Sequence, residues 1–533
     1  MGVSIRAKSQ NSVKNLTISY KSMKKTYKIK AILALLMGVY THFVSNAQFS
    51  LQGQMRTRTE VRNGLGNLVP AGSDPAAFTS QRTRLIFGYK WDRVTFGATL
   101  QDVRVWGQDA STISSADGNR LMLHEGWAEV TLANKADTTL KFKAIDQLSI
   151  KIGRQELSYD DVRLIGNLDW LQQGRRHDMV LLKGMHAGWQ FDIGLAYNQN
   201  TDAFNTTGTV FTPANTPQYM ANSKGVLVAI PAGTIPNGAV LTSNPSTNGA
   251  SQDYKSFKSV YVSRKFNQTK FSGLFFNDDF SKYKLDTLVG NRANGYLYGK
   301  DFRGLTGTNS RYTYGLMINH TVGNASGFGK IAIQGAYYAQ SGKDREGMAM
   351  DAYHYTLSAT YQKGKWAFTP GYDVLSGNDA LNPSGKNNRF DPLYGTPHKH
   401  WGYMDYFYVG TGSPAGGLNN AYFKAKYTTN VLTAGLDYHS FALNKPMITT
   451  GADGNKTPIN QQLGTEFDFT LSYTMNKFTN IELGYSIMKA TDSMPIAKAQ
   501  NSSTTYDKTG TWFYAMINIR PDFFYSKPIA IKQ

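Results

Sequence analysis

The stretch Gly188-Trp-Gln-Phe-Asp-Ile-Gly-Leu-Ala-Tyr-Asn198 alternates without a break. An extended chain turns successive side chains to opposite faces. Trp189, Phe191, Ile193, Leu195 and Tyr197 therefore share one face, and Gln190, Asp192, Gly194, Ala196 and Asn198 the other. Aromatic rings end the apolar face and aliphatic side chains fill its middle, the order that the interfaces and hydrocarbon of a bilayer select. Tyr353, Tyr355, Leu357, Ala359 and Tyr361 repeat the arrangement, as do Thr465, Phe467, Phe469, Leu471, Tyr473 and Met475, and the runs at 311–320 and 479–489. Eight short connections, near 91–93, 134–147, 184–188, 264–269, 320–329, 362–365, 427–430 and 475–479, each join two such runs and predict sixteen strands. A first strand at 49–60 and a last at 511–520 bring the total to eighteen. The connections between these pairs are long, the longest at 199–256. Short turns on one side and long loops on the other predict an all-β fold: a transmembrane antiparallel β-barrel with long extracellular loops, short periplasmic turns and both termini periplasmic.

The rest of the chain agrees. After Gln48 no stretch approaches the roughly 18 uninterrupted apolar residues of a spanning helix. Yet the 533 residues include 32 Tyr, 28 Phe, 8 Trp and 51 Gly, and the mean hydropathy is negative. That combination arises when only every second strand residue meets lipid. Residues 1–47 hold eight Lys/Arg and no acid: Lys24, Lys25, Lys28 and Lys30 precede the apolar run 31–39, and Ser45-Asn46-Ala47 follows. This is the pattern of a cleaved secretory signal peptide, with Met23 as an alternative start and Gln48 as the expected first mature residue. Residues 48–533, with 49 basic against 37 acidic residues, form one barrel domain in the Gram-negative outer membrane. The segment Ala203–Gln252 carries Lys224 as its only charge. It reads as an irregular external flap, with a constriction folded into the lumen as the alternative.

Alternation also assigns the lumen. Gln52, Gln54, Arg56, Arg58 and Glu60 oppose Leu51, Gly53 and Met55, and Arg82, Arg84 and Lys90 oppose Thr83, Leu85, Phe87, Tyr89 and Trp91. Charge on the lipid face near mid-membrane costs several kcal/mol, about 2–4 for Arg or Lys, so these arginines belong inside. Arg56, Arg58, Arg82 and Arg84 then form a ladder across neighbouring strands. Glu125 and Glu129 share one face of the fourth strand, and Asp102 and Arg104 follow an apparent slip in the third, either a bulge or its upper end. Guanidinium rings attract anions and hold carboxylates bidentately. Ion pairing that only fills a wide barrel is the competing reading of each residue.

The segment Gly153-Arg-Gln-Glu-Leu-Ser-Tyr-Asp-Asp-Val-Arg163, followed by Gly166-Asn-Leu-Asp-Trp170 and Gln173-Gly-Arg-Arg-His-Asp178, is distinctive. With Gln101-Asp-Val-Arg-Val-Trp-Gly107 and Glu125-Gly-Trp127 it resembles the alginate-export family of outer-membrane proteins. Gly371–Asp379, His398–Asp405 and Leu463–Asp468 are similar to its Bacteroidetes-type members. The resemblance implies an eighteen-stranded barrel whose electropositive pore passes an anionic uronate polymer. Carried onto this chain, it makes Arg82, Arg84, Arg104, Arg154, Arg163 and Arg175 pore residues, with Asp102, Glu125 and Asp178 as their partners. One departure is the C-terminal end: Phe523, Phe524 and Tyr525 stand eight or more residues before Gln533. Either the assembly signal is internal or the last strand lies later than 511–520.

Catalysis finds little support. There is no cysteine nucleophile, no His-Glu-x-x-His pair and no Gly-x-Ser-x-Gly elbow. His398 and His400 lack a third metal ligand, and Asp160 and Asp161, read as strand neighbours, point apart. No cofactor or metal is indicated, and the dispersed basic charge argues against nucleic acid. The expected partners are outer-membrane lipid and an anionic solute or polysaccharide. Two functions remain: a channel passing anionic solutes, up to export of a uronate-type polysaccharide, or an accessory barrel plugged by its loops and serving another envelope complex.

Overall fold

The computed structural model describes residues 48–108, 121–137, 139, 144–199, 211, 213, 218–221, 227–229, 254–291, 295–302, 305–324, 327–407, 414–451, 454–501 and 503–525, with backbone alone at 218–221, 227–229, 285–291, 295–301 and 525. The expected signal peptide lies outside these residues. Eighteen antiparallel strands build one sheet: β1 (Gln48–Asn63), β2 (Ala76–Trp91), β3 (Val94–Val105), β4 (Met122–Asn134), β5 (Gln147–Gln155), β6 (His177–His186), β7 (Trp189–Tyr197), β8 (Tyr254–Phe266), β9 (Thr269–Ser281), β10 (Thr308–Asn324), β11 (Gly329–Lys343), β12 (Ala349–Lys363), β13 (Trp366–Leu375), β14 (Leu418–Thr428), β15 (Leu432–Ala442), β16 (Gln462–Asn476), β17 (Thr479–Ala490) and β18 (Thr509–Ile519, continued by Asp522–Tyr525). Each pairs with the next, and β1 closes the barrel on β18, from Met55 opposite Ile519 to Asn63 opposite Thr511. Closure leaves no unpaired edge in the hydrocarbon.

The last strand does lie later than 511–520. Beyond a break at Pro521 it resumes, with Leu51 opposite Phe524 and Ser50 opposite Tyr525. Gly53 makes this possible: its N–H donates to Pro521 O at 2.9 Å, and a Cβ there would stand 2.6 Å from the Phe523 ring.

An apolar phase of the strands faces out. Leu316, Leu357, Leu195 and Ile152 are at least half exposed and form the aliphatic band, as the alternation around Trp189–Tyr197 requires. Aromatic pairs mark the short-turn end, with Trp189 6.0 Å from Phe266 and Trp366 4.8 Å from Tyr427. Among the described residues no helix is long and apolar enough to cross a membrane.

The interior is not an empty tube. Loop residues Leu68, Leu157, Leu164, Ile165, Phe390, Leu393, Tyr394, Trp401, Met404, Tyr406, Phe407 and Met494 are buried together with inward residues of the wall. The loops following β5 and β13 thus fold into the barrel and pack a core there, releasing their apolar surface from water. Parts of the longest loop are regular: Gln218–Ala221 and Leu227–Ala229 pair, and Gln218–Ala221 also pairs with Gly295–Asp301 of the loop following β9. That corrects the expectation of an irregular flap, because backbone pairing needs no apolar alternation in the sequence.

Candidate functional site: an arginine-held loop in the lumen

Register decides which charged residues reach the lumen. Arg82 lies opposite Val103 and Arg84 opposite Gln101, so Asp102, opposite Thr83, belongs to the outward phase of β3 with Phe96 and Leu100. The slip lies in β4, where His124 is the extra residue between Leu123 and Glu125, and β3 runs on in phase. Asp102 and Arg104 therefore pair with each other on the outer wall, twice at 2.7 Å. Arg154 and Asp178 do the same at 2.8 and 3.0 Å, because Arg154 lies opposite Gly126, which lies opposite the outward Ala98. These four expected pore residues face outward at the long-loop end of their strands. There the hydrocarbon band ends, and a bidentate pair satisfies both charges.

Glu125 and Glu129 face inward. Glu125 accepts from Glu156 N at 3.2 Å, and Glu129 from Lys183 Nζ at 3.0 Å and Ser149 Oγ at 2.6 Å. Arg163 and Arg175 lie in the loop following β5. Arg163 pairs with Asp161 at 3.2 Å and Asp373 at 3.0 Å, and Arg175 donates to Gly395 O at 2.6 Å. Both tie that loop to the loop following β13 and to the wall. Backbone bonds add to the seam: Tyr394 N to Leu164 O, Gly166 N to Tyr394 O and Thr396 N to Val162 O, at 2.8–3.0 Å. At Gly395 a Cβ would collide with Arg163 O at 1.9 Å, so only glycine permits this approach.

The expected ladder of Arg56, Arg58, Arg82 and Arg84 exists, and the chain itself occupies it. The tip of the β5–β6 loop presses its carboxylate and successive carbonyls onto the guanidiniums. Asp169 Oδ1 lies 2.8 Å from Arg82 and 3.7 Å from Arg84, and its Oδ2 lies 3.4 Å from Arg56 and 3.9 Å from Arg520. Arg56 donates to the carbonyls of Asp169, Trp170 and Leu171, Arg58 to Trp170 O, and Gln101 to Gln173 O. Five fixed donors per guanidinium suit it to grip a turn in this way. Arg82 is fully buried and Asp169 40% exposed, so the clamp is closed toward the wall and open toward the lumen. Glu60 bridges Arg58 and Arg62 at 2.9 and 2.8 Å, and Glu156 lies 3.9 Å from Arg84. The cluster's ion pairs thus join six guanidiniums to three carboxylates. Burial would raise the Asp169 carboxyl, but Arg82 and Arg56 outweigh it and hold the group below the usual carboxylate range.

An aromatic column braces the tip. Arg58 lies over Trp170 at 4.4 Å, Trp170 stacks on His398 at 4.5 Å, His398 on Tyr403 at 4.9 Å, and Lys424 stands 5.8 Å from the Tyr403 ring. Both faces of Trp170 are covered, so it is a strut and offers no platform for a solute. On the far side, Glu466 accepts from Met404 N at 2.8 Å and Asp468 from Tyr403 N at 3.4 Å. Gly402, at φ +83, passes where a Cβ would stand 2.6 Å from the Glu466 carboxylate. His398 bonds Asp405 and His400 bonds Asp161 O, so the two histidines diverge, and no metal-binding group occurs among the described residues. Asp160 and Asp161 also part, Asp160 toward Lys270 and Ser272 and Asp161 toward Arg163 and Gln334, although they lie on a loop and not on a strand.

Between this plug and the wall lies a cavity of about 360 Å³ lined by Arg56, Asp169, Trp170, Lys399, Tyr403, Glu482 and Arg520. Sequence reasoning missed Asp169, Trp170, Lys399 and Arg520. The motif 166–170 was the available signal, but nothing in its spacing says which wall it meets.

Residues 47–197 match the alginate export family model. No curated protein sequence matches the chain significantly. Among solved structures, the barrel is similar to OpdO of Pseudomonas aeruginosa (TM-score 0.52, 11% identity, 89% of this chain and 98% of that one). It is similar to OccAB1 of Acinetobacter baumannii (TM-score 0.52, 12% identity, 90% and 98%) and to OccK9 of P. aeruginosa (TM-score 0.50, 10% identity, 89% and 98%). At such identities the likeness is one of fold: the architecture of an outer-membrane channel.

Proposed function

We propose that this outer-membrane channel passes anionic solutes of the sugar-acid class past the arginine-held loop tip, with the short-turn end in the periplasm. The six guanidiniums that pair with three carboxylates around the loop tip carry the reading, an excess that Glu482 of the cavity does not cancel, because charge enclosed by the barrel is screened less than at an open surface. Lys399 and Arg520 line the cavity and meet the solute, while Arg56, Arg58, Arg82 and Arg84 position the loop. The match of residues 47–197 to the alginate export family supports a uronate-type solute. Liposome swelling tests this: glucuronate should enter faster than glucose of nearly the same size, and equal rates would refute it. The apolar core that the loops build inside the barrel favours a second reading, a plugged accessory barrel. Absence of any single-channel conductance would select it.

A further inference from the structure

The arginine cluster has the geometry of a carboxylate-binding site, and the group that fills it belongs to the chain. Four guanidiniums converge within 3.9 Å on the one carboxylate of Asp169. A single bidentate arginine already satisfies a carboxylate, so the site attracts more negative charge than its occupant supplies.

The occupant is also held differently from the rest of its loop. Backbone hydrogen bonds to residues 394–396 stitch down the segment before Gly166. Between Gly166 and Gly174 the chain is held to the wall by side chains, those of Arg56, Arg58, Arg82 and Gln101. Gly174, at φ +65, passes 3.0 Å from Arg84 and His124, measured from where a Cβ would be. Asp169 itself borders the cavity that Arg56 and Arg520 share.

We propose that Asp169 is a tethered competitor: a solute carboxylate entering the cavity meets Arg520 and exchanges with the Asp169 carboxylate on the arginine cluster. This rests on the anion-channel reading and adds how the site releases what it binds. A fixed cluster of guanidiniums would retain a sugar acid, and conduction requires binding weak enough to leave. A tethered carboxylate supplies a constant effective concentration of competitor, on the order of millimolar or above. If it fills the site about nine-tenths of the time, the apparent affinity for the solute falls about tenfold.

The test uses the full-length mature chain in planar bilayers, with sodium glucuronate as the probe and glucose and chloride as controls. In Asp169→Asn, glucuronate should block chloride current at about one-tenth of the wild-type concentration, with no change for glucose. Asp169→Glu, which keeps a carboxylate on the tip, should restore most of the competition. Hydrogen exchange at residues 168–173 of the wild type, which needs no variant, should quicken with glucuronate and not with glucose. A gain shared equally by chloride and glucuronate means that Asp169 acts through its field alone and overturns the proposal. So does an unchanged glucuronate affinity in a channel whose wild type prefers anions. A wild type without anion preference fails the underlying reading, and the proposal with it.

Discussion

Replacing Arg311 with Met should free the loop following β13 while leaving the barrel intact. Arg311, 2% exposed, donates to both oxygens of Asp278 at 3.0 and 2.6 Å and to Asp391 at 2.6 Å. Asp278 is fully buried and, among the described residues, keeps only Tyr394 OH, at 2.6 Å, once the guanidinium is gone. Asp391 keeps Arg345 at 3.2 Å. Breaking a buried pair by removing one partner costs about 3–5 kcal/mol, and the Tyr394 bond puts this case near the lower end. The strands are held by a continuous ladder and the loop by a few anchors, so the cost falls on local opening of the loop. About 3 kcal/mol corresponds to roughly a hundredfold change in an opening equilibrium. Hydrogen exchange in detergent should therefore quicken on the order of a hundredfold at Tyr394 and Gly166, whose amides close the seam between the two loops. Amides of β14 should not change. The double variant Arg311→Met with Asp278→Leu removes both charges and should recover most of the protection. Unchanged exchange in the single variant, or equal damage in the double, would show that Arg311 only fills space.

Three further outcomes follow from the same geometry. Gly402→Ala should cost about 1–3 kcal/mol in backbone strain alone and, by striking the Glu466 carboxylate, lower the protection of Tyr403 and Met404 amides. Gly385→Ala, at φ +74 with nothing within 4 Å of the new methyl, should leave those amides unchanged. Trp170→Ala removes the strut between Arg58 and His398 and should raise single-channel conductance, at a local cost of at most roughly 3–5 kcal/mol. Because the Asp169 carboxyl is held low, its stabilisation is complete above the unfolded pKa, about 3.9. It is lost as pH falls through the lower folded value. Protection factors at residues 168–173 should hold from pH 7 to about pH 4 and fall below it.

The wall was legible because lipid enforces it. Trp189–Tyr197 and Thr465–Met475 had to alternate, since a charge in the band costs several kcal/mol. The same rule placed Arg56, Arg58, Arg82 and Arg84 inside. At the rim the constraint lapses, which is why Asp102, Arg104, Arg154 and Asp178 are charged and yet face outward. The third strand read as slipped because Val103, though apolar, shares the inward phase of Arg82 while Leu100 faces out; the extra residue lies in its neighbour, at His124. The lumen contents were not legible. Asp169 meets Arg56 across 113 positions, and loops that pack on one another inside a barrel carry no period to read.

The most direct test of an anion channel built around an arginine-held tip is the reversal potential across a potassium chloride gradient. It is measured for the reconstituted wild type and for the double variant Lys399→Gln, Arg520→Gln. These two cavity-lining cations are chosen because they are exposed, whereas Arg56, Arg82 and Arg84 are buried beneath the tip. The wild type should prefer chloride, and the double variant should lose much of that preference while still conducting. A wild type that prefers potassium, or a double variant with an unchanged reversal potential, would contradict the account.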